Sequence, residues 1–161
     1  MKLLHIVGRK NHGKTTLLVE LTESLRRRGV RVGTIKHSTD ALDLDTPGKD
    51  THRHRAAGAS PVALVSGGGV TVFLPRQQDV YTQLDAVFAG CNVVLVEGDV
   101  AGPGPKVEVW RREAGGEPIA TGRQDIIGVV SDDAVDWPVT VWPRRDVELV
   151  ADQVLQWAAE V

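Results

Sequence analysis

The chain has 161 residues, of which 42% are hydrophobic, and its formal net charge at neutral pH is −2. This length predicts a single domain over residues 1–161 with a core of its own, and the near-neutral charge argues against nucleic acid or a membrane surface as a partner. No apolar stretch approaches the roughly 18 residues of a membrane-spanning helix. Cys91 is the single cysteine, so an intrachain disulfide is excluded and the reducing cytoplasm is the expected compartment.

The first elements of the chain are predicted to be a strand, a glycine-rich loop and a helix. Residues 2–7 form a short apolar run typical of a buried strand. Residues 16–28 place leucines on one helical face, and Gly29 stands where a helix-ending glycine is expected. Between them, Gly8–Thr15 matches G-x-x-x-x-G-K-[ST], the phosphate-binding loop. The motif lies in the strand–loop–helix context that it requires, so we interpret it as a nucleoside triphosphate site.

Each part of this loop has a chemical role in that interpretation. The glycines let the backbone curl, so that successive N–H groups point at phosphate oxygens. Lys14 would reach the β- and γ-phosphates, and the hydroxyl of Thr15 would take one position on Mg²⁺. The start of the following helix favours anions as well. The predicted nucleotide-binding residues of this segment are Gly8, Arg9, Lys10, Asn11, His12, Gly13, Lys14, Thr15 and Thr16.

The rest of the chain alternates between predicted strands and helices. In chain order these are a strand at 30–35, a loop at 38–49, a helix at 50–59, a hairpin of 61–65 and 70–74, a helix at 79–89, strands at 92–96, 107–110, 119–121, 126–130 and 139–142, and a helix at 146–161. This order predicts an α/β fold of the P-loop NTPase type, a three-layer, open, mostly parallel sheet with helices on both faces.

Ligands of such sheets bind outside the carboxyl ends of the strands. We therefore expect one rim to carry the segments that follow the strands, namely Gly8–Thr15, Lys36–Asp45, Glu97–Gly98 and Ser131–Asp132.

The loop of residues 43–50 is rich in carboxylates. Mg²⁺ and an attacking water both need oxygen partners, which makes Asp45 or Asp43 a candidate for contacting the metal or orienting the water. The alternative is a hydrophilic surface loop.

The histidines give no support to a zinc site. His52 and His54 are two positions apart, so on a helix they diverge and cannot share one metal ion. The sequence leaves the roles of Lys49, Arg53 and His37 open.

Glu97 follows the most apolar predicted strand, residues 92–96. A carboxylate at the end of a buried strand in a phosphate-loop protein is where a second Mg²⁺ contact is expected, and the alternative is a carboxylate in solvent. Gly98 would let the backbone approach the γ-phosphate or make a turn. The predicted catalytic residues are thus Asp45 and Glu97, and the predicted Mg²⁺ ligands are Thr15, Asp45 and Glu97.

Asp132 lies after the predicted strand at 126–130, where a group that selects the base is expected. Guanine offers two N–H donors that suit a carboxylate, and adenine has no such pair, so Asp132 favours GTP over ATP as the ligand. The alternative is a serine–aspartate turn. The N-K-x-D guanine signature of larger GTPases is absent from the sequence.

The order of these segments resembles a known family. The shared segments are Gly8–Thr16, Lys36–His37, Asp45–Thr51, Ala57–Ala59, Leu95–Gly98 and Pro105–Val109. They resemble the molybdopterin-guanine dinucleotide biosynthesis protein B family, MobB, over nearly the whole chain. The phosphate loop is common to many families, whereas the Pro-Gly-Lys-Asp element and the Val-Glu-Gly and Pro-Lys-Val-Glu-Val pair are more specific.

The resemblance implies a GTP-binding accessory protein of molybdenum cofactor biosynthesis, with Mg²⁺ and at most a weak GTPase activity. It implies a homodimer that assists the guanylyltransferase joining GMP to molybdopterin, with a molybdopterin intermediate as a further candidate ligand. Alternatives on the same fold are a small-molecule kinase, a metallochaperone-type NTPase and an interaction module whose nucleotide is structural. A kinase would need an arginine-rich lid, for which Trp110–Glu113 is the one weak candidate, and its alternative is an exposed hairpin end.

Overall fold

The computed structural model describes residues 1–135 and 138–160. In chain order the elements are β1 (Leu3–Val7), α1 (Lys14–Arg27), β2 (Val32–Lys36), α2 (Asp50–Ala56), β3 (Val62–Ser66), β4 (Gly69–Phe73), α3 (Val80–Phe88), β5 (Val93–Glu97), β6 (Lys106–Val109), β7 (Ile126–Val130), β8 (Val141–Trp142) and α4 (Val147–Glu160), with a short 3₁₀ turn at Arg112–Ala114. These bounds lie within one to three residues of most predicted ones, and the predicted end of the last helix, Val161, lies outside the described residues.

The chain divides into two units by its internal contacts. The first unit consists of Met1–Ser38 and Val87–Val161, and the second of Thr39–Ala86. The first contains a six-stranded sheet in the order β2-β5-β1-β6-β7-β8, and the second contains the two-stranded sheet β3-β4. Every neighbouring pair of the larger sheet is parallel, and β3 and β4 are antiparallel.

The central strands of the first unit are buried and mostly apolar, with His5 of β1 and Lys106 and Glu108 of β6 as buried polar exceptions. In β5, Val93–Val96 is a continuous apolar run with almost no exposure, as expected for a central parallel strand. Helices α1 and α4 pack against each other and share one apolar cluster with the strands, including Leu4, Ile6 and Leu21. The predicted α/β fold with a mostly parallel sheet is confirmed.

The predicted strand at 119–121 is wrong. The backbone N–H groups of Ile119 and Ala120 donate to the carboxylate of Glu108, at 2.9 and 2.7 Å, rather than to a neighbouring strand. Ala120 instead belongs to a second apolar cluster with Val7 and Trp110. The segment is therefore apolar because it is buried in this cluster. Its backbone N–H groups are hydrogen-bonded to a side chain and not to a strand.

The second unit presents an apolar face to solvent. The predicted hairpin is confirmed, with Val65 opposite Val70 and Ala63 opposite Val72. Alternate residues of paired strands face the same side, so these four residues form one face, and all four are exposed. None of the helices in the described part of the chain is long and apolar enough to cross a membrane.

Candidate nucleotide-binding site

The loop between β1 and α1 has the backbone conformation that a phosphate-binding loop needs. Gly8 has φ +140°, and a Cβ there would collide with the carbonyl oxygen of Val109, so only glycine fits. Asn11 and Gly13 have φ of 69° and 93°, which turns the chain back towards α1. The helix then begins at Lys14, so its free N–H groups face the concave side of this turn.

The side chain of Lys14 lies across the loop. Its Nζ donates a hydrogen bond to the carbonyl oxygen of Arg9 at 2.7 Å. Burial lowers the pKa of Lys14 from its ordinary value, although the carboxylate of Glu97 opposes the shift. A desolvated ammonium group at the mouth of an amide-lined loop is suited to bind a multiply charged anion.

The structure brings Thr15 and Glu97 together, as the sequence predicted. The hydroxyl Oγ1 of Thr15 donates to Oε1 of Glu97 at 2.6 Å. The parallel register pairs Ile6 and Lys36 with Glu97 on either side, and Lys36 Nζ lies 4.0 Å from the same carboxylate oxygen. The carboxyl ends of three neighbouring strands thus meet beside the loop.

These two oxygens fit a Mg²⁺ ion. A hydroxyl and a carboxylate in contact are hard ligands of the kind that Mg²⁺ prefers. Among residues 1–135 and 138–160, no group of three His, Cys, Asp or Glu side chains could hold a metal ion. A Mg²⁺ at Thr15 and Glu97 would therefore complete its shell with phosphate oxygens and water.

Gly98 continues the sheet next to this pair. Its N–H donates to the carbonyl oxygen of Ile6 at 2.9 Å, and its φ is +89°. A Cβ at this position would approach the carbonyl oxygen of His37 to 3.2 Å. Backbone packing therefore already requires glycine here, and its role towards a phosphate stays a prediction.

Two adjoining clefts open at this edge of the first unit. The loop cleft has a volume of about 410 Å³ and is lined by Lys10, Asn11, Gly13, Lys14, Thr15, Thr16, Glu97 and Arg111. The Asp132 cleft has a volume of about 480 Å³ and is lined by His12, Gly13, Thr16, Arg111, Glu113, Asp132, Asp133 and Arg144. Both are lined by Gly13, Thr16 and Arg111, so the two clefts adjoin along these residues and together make up a groove that has Lys14 in one cleft and Asp132 in the other.

Asp132 lies at the far end of this groove. Its Oδ1 accepts the backbone N–H of Arg145 at 3.1 Å, and the side chain is exposed. The serine–aspartate turn is also present, because the N–H of Asp133 donates to Oγ of Ser131 at 3.1 Å. The turn and the cleft-lining position are compatible, since the turn holds Asp132 at the end of β7.

The predicted acidic loop belongs to the second unit, where Arg55 binds both of its first two carboxylates. Arg55 Nη1 lies 3.2 Å from Asp43 and 3.1 Å from Asp45, and Thr51 donates to Asp45 at 2.7 Å. The backbone N–H of Asp45 and the Arg55 guanidinium hold the pKa of Asp43 below its usual range. The catalytic and Mg²⁺-binding roles of Asp45 stay predictions.

The contact between two residues of the groove, His12 and Arg111, was not predicted from the sequence. His12 is fully buried, accepts the backbone N–H of Arg111 at Nδ1 and bonds through Nε2 to the carbonyl oxygen of Gly115, both at 3.0 Å. Because Nδ1 accepts an N–H, the ring hydrogen is on Nε2, which donates to Gly115, and burial lowers the pKa of His12 in the direction that favours this neutral ring. The Arg111 guanidinium donates to the carbonyl oxygen of Asn11 at 2.6 Å. No local signal reveals these contacts, because they join residues about a hundred positions apart.

The Pro-Lys-Val-Glu-Val element has a structural role. Lys106 is buried, and its Nζ lies 2.8 Å from the carbonyl oxygens of Gly102 and Gly104 and 2.9 Å from the carboxylate of Asp125. Glu108, two positions later, holds the segment at 119–120. The two charged residues of β6 thus stabilise the loop that precedes the strand and the loop that follows it.

Comparison with known proteins gives a consistent result. The family model for MobB, molybdopterin guanine dinucleotide synthesis protein B, matches residues 3–132. The molybdopterin-guanine dinucleotide biosynthesis adapter protein of Escherichia coli (strain K12) is 33% identical, over 96% of this chain and 92% of that protein. The adapter protein of the same name from Haemophilus influenzae is 30% identical, over 96% of this chain and 88% of its own length.

Solved structures share the fold. The crystal structure of a MobB homologue from Bacillus stearothermophilus superposes with a TM-score of 0.70 and 24% identity, over the full length of both chains. The crystal structure of Bacillus subtilis MobB gives a TM-score of 0.73 and 24% identity, over 97% of each chain. With the match over most of its length and relatives of this similarity, the chain belongs to the MobB family.

Proposed function

We propose that this protein binds GTP with Mg²⁺ and acts as an adapter in the biosynthesis of molybdopterin guanine dinucleotide. The observation that carries the proposal is the pair of adjoining clefts, with Lys14 of the phosphate loop in one and Asp132 after β7 in the other. A nucleotide likewise has its phosphates at one end and its base at the other. Membership of the MobB family, whose curated members include adapter proteins of this pathway, supports the biological role.

In this proposal the loop amides and Lys14 bind the phosphates, and Thr15 and Glu97 bind Mg²⁺. A Mg²⁺ ion held by Thr15 and Glu97 would supply positive charge that neutralises the phosphates. Glu97 also holds the Thr15 hydroxyl at 2.6 Å, which positions it for the metal. Asp45 remains our candidate for orienting water, and hydrolysis is proposed to be weak.

Asp132 is proposed to select guanine, and its replacement tests this. In Asp132→Asn one acceptor oxygen becomes a donor, so GTP affinity should fall about 10-fold or more while ATP affinity stays unchanged. Mg–GTP and Mg–ATP titrations of wild type and variant, at one ionic strength, measure the difference.

Asp133→Asn is the matched control, because it makes the same chemical change at the neighbouring residue of the same cleft, and both carboxylates accept one backbone N–H. It should keep the wild-type preference for GTP. A wild-type protein that binds ATP as tightly as GTP would contradict the choice of nucleotide, and absence of binding to either would contradict the proposed function.

The proposed partner is the enzyme that attaches GMP to molybdopterin, and a molybdopterin intermediate is a further proposed ligand. The support is the family and the names of the curated relatives, which place those proteins in guanine dinucleotide synthesis. An adapter that holds GTP beside such an enzyme would present the nucleotide whose GMP part becomes attached.

We also propose that the protein is a homodimer, joined through the apolar face of the β3–β4 hairpin. The double variant Val65→Lys, Val70→Lys places two charges at one cross-strand pair and should convert the dimer to a monomer of 17.4 kDa. Thr71→Lys adds a charge to the opposite face of the hairpin and should leave the dimer intact. Sedimentation velocity distinguishes the species, and a dimer that survives the double change would refute this interface.

A further inference from the structure

Arg111 lies where the two clefts of the groove meet. It lies two residues after the end of β6, and it lines both the loop cleft and the Asp132 cleft, together with Gly13 and Thr16. The loop cleft beyond it contains Lys14, Thr15 and Glu97. Arg111 is therefore a cation between the end of the groove that suits terminal phosphates and the end that suits the base.

The backbone of Arg111 is fixed to the phosphate loop. Its N–H donates to Nδ1 of buried His12 at 3.0 Å, and the other ring nitrogen of His12 bonds to the carbonyl oxygen of Gly115. This bond does not use the Arg111 side chain, so it persists when the side chain is replaced. The position of residue 111 relative to the loop is thus set independently of its charge.

The guanidinium group is held by contacts that a phosphate can replace. Nη2 donates to the carbonyl oxygen of Asn11 at 2.6 Å, and Nη1 lies 3.0 Å from Glu113, whose side chain is 75% exposed. Such an exposed ion pair is weak. Nε is buried and has no hydrogen-bond partner among residues 1–135 and 138–160. Nη1, whose ion pair is exposed, is therefore the donor that a phosphate can take over, and the planar fork of the guanidinium group matches the geometry of phosphate oxygens.

We infer that Arg111 binds the α-phosphate of the nucleotide, an inference that rests on the proposed function. In a phosphate loop the lysine reaches the β- and γ-phosphates, while the backbone amides cradle the α- and β-phosphates. With Lys14 at one end of the groove and Asp132 at the other, the α-phosphate falls at the junction of the clefts. Arg111 is the cation shared by both cleft linings; the other arginine of the Asp132 cleft, Arg144, is paired with Glu20 at 2.7 Å.

The position of the contact predicts which ligands respond to its removal. GTP, GDP and GMP all carry an α-phosphate, so Arg111→Ala should weaken each of them by the same factor, about 10- to 100-fold. Guanosine has no phosphate, and its affinity should not change. Hydrolysis at saturating GTP should keep the wild-type rate, because a contact with the α-phosphate is made equally before and during γ-phosphate transfer.

The experiment is competition of the four ligands against a fluorescent GTP analogue, in wild type, Arg111→Ala, Arg111→Lys and Arg112→Ala. Arg112 is the matched control, because it is the adjacent arginine and its guanidinium bonds to the carbonyl oxygen of Ala134. Arg112→Ala should bind all ligands as wild type does. Arg111→Lys keeps the charge without the fork and should recover part of the affinity lost in Arg111→Ala.

Each of the following results would overturn the inference. A loss confined to GTP, or a fall in the hydrolysis rate at unchanged affinity, would assign Arg111 to the γ-phosphate. A loss that extends to guanosine would make Arg111 a support of the groove. Wild-type binding by Arg111→Ala would remove it from the site while leaving the proposed function intact, whereas failure of wild-type protein to bind GTP would refute both.

Discussion

Replacing Lys14 with alanine is expected to weaken binding of Mg–GTP by about 100-fold, because each charge-assisted hydrogen bond contributes about 1.5–3 kcal/mol and Lys14 would reach two phosphates. The ammonium group already lies across the loop, 2.7 Å from the carbonyl oxygen of Arg9, and burial lowers its pKa. A bound phosphate would replace the missing solvation. Titration of both proteins with Mg–GTP at one ionic strength measures the loss.

Lys10→Ala is the control for this variant. Lys10 belongs to the same loop and lines the same cleft, but its side chain is exposed, so its replacement removes an equal charge without the contact across the loop. We expect Lys10→Ala to change the affinity by less than about 3-fold, as for other exposed charges. The melting temperature of Lys14→Ala should stay close to that of wild type, because its lost hydrogen bond is exposed. Equal affinities for Lys10→Ala and Lys14→Ala would show that phosphates do not bind in this loop.

The parts of the site that could be predicted from the sequence depend on local patterns. The apolar run of β5 indicates a central strand, so the acid that follows it is expected at the carboxyl edge of the sheet. The loop motif likewise determines where Thr15 lies relative to β1. These two local inferences, combined with the rule for strand ends, are sufficient to predict that Thr15 and Glu97 come together, and the structure has them in contact at 2.6 Å.

The parts that could not be predicted depend on which strands are neighbours. Arg111 reaches the phosphate loop because β6 pairs with β1, with Glu108 beside Val7, and a single sequence does not contain that register. His12 then appears as one polar residue in a loop, although its ring bonds to Arg111 and Gly115. Such contacts have no periodicity, so pattern analysis has nothing to detect.

The misassigned strand at 119–121 has a related cause. An apolar run with β-branched residues favours a strand, but the pattern does not say what accepts the backbone N–H groups. Here the acceptor is the carboxylate of Glu108, eleven residues from Ile119. Glu108 is part of a segment that carries the family resemblance, Pro105–Val109. The sequence shows its identity and spacing there, but not its role as the acceptor of these N–H groups.

Loss of the Glu108 side chain should strongly destabilise the first unit. Its carboxylate is fully buried and accepts the N–H groups of Ile119 and Ala120. Glu108→Ala leaves both donors without an acceptor, and each buried unsatisfied group costs about 1–3 kcal/mol, so the free energy of unfolding should fall by about 2–6 kcal/mol. Urea unfolding at neutral pH measures this. Glu117→Ala, an exposed glutamate of the same segment, should change it by less than about 0.5 kcal/mol.

The pH dependence of the stability separates the effect of the Glu108 carboxyl group from a simple packing defect, which would not change with pH. Burial raises the pKa of Glu108 above its ordinary value of 4.5, against the opposing effect of the two N–H groups. The folded state therefore holds this proton more tightly than the unfolded state, so the part of the stability that is linked to this proton is complete below about pH 4.5 and is lost as the pH rises through the raised pKa, while the hydrogen bonds from the two N–H groups remain. Glutamine cannot titrate. The stability of wild type minus that of Glu108→Gln should accordingly decrease as the pH rises from 4 towards neutrality, and an increase over that interval would mean that the N–H groups, not burial, control the carboxyl group.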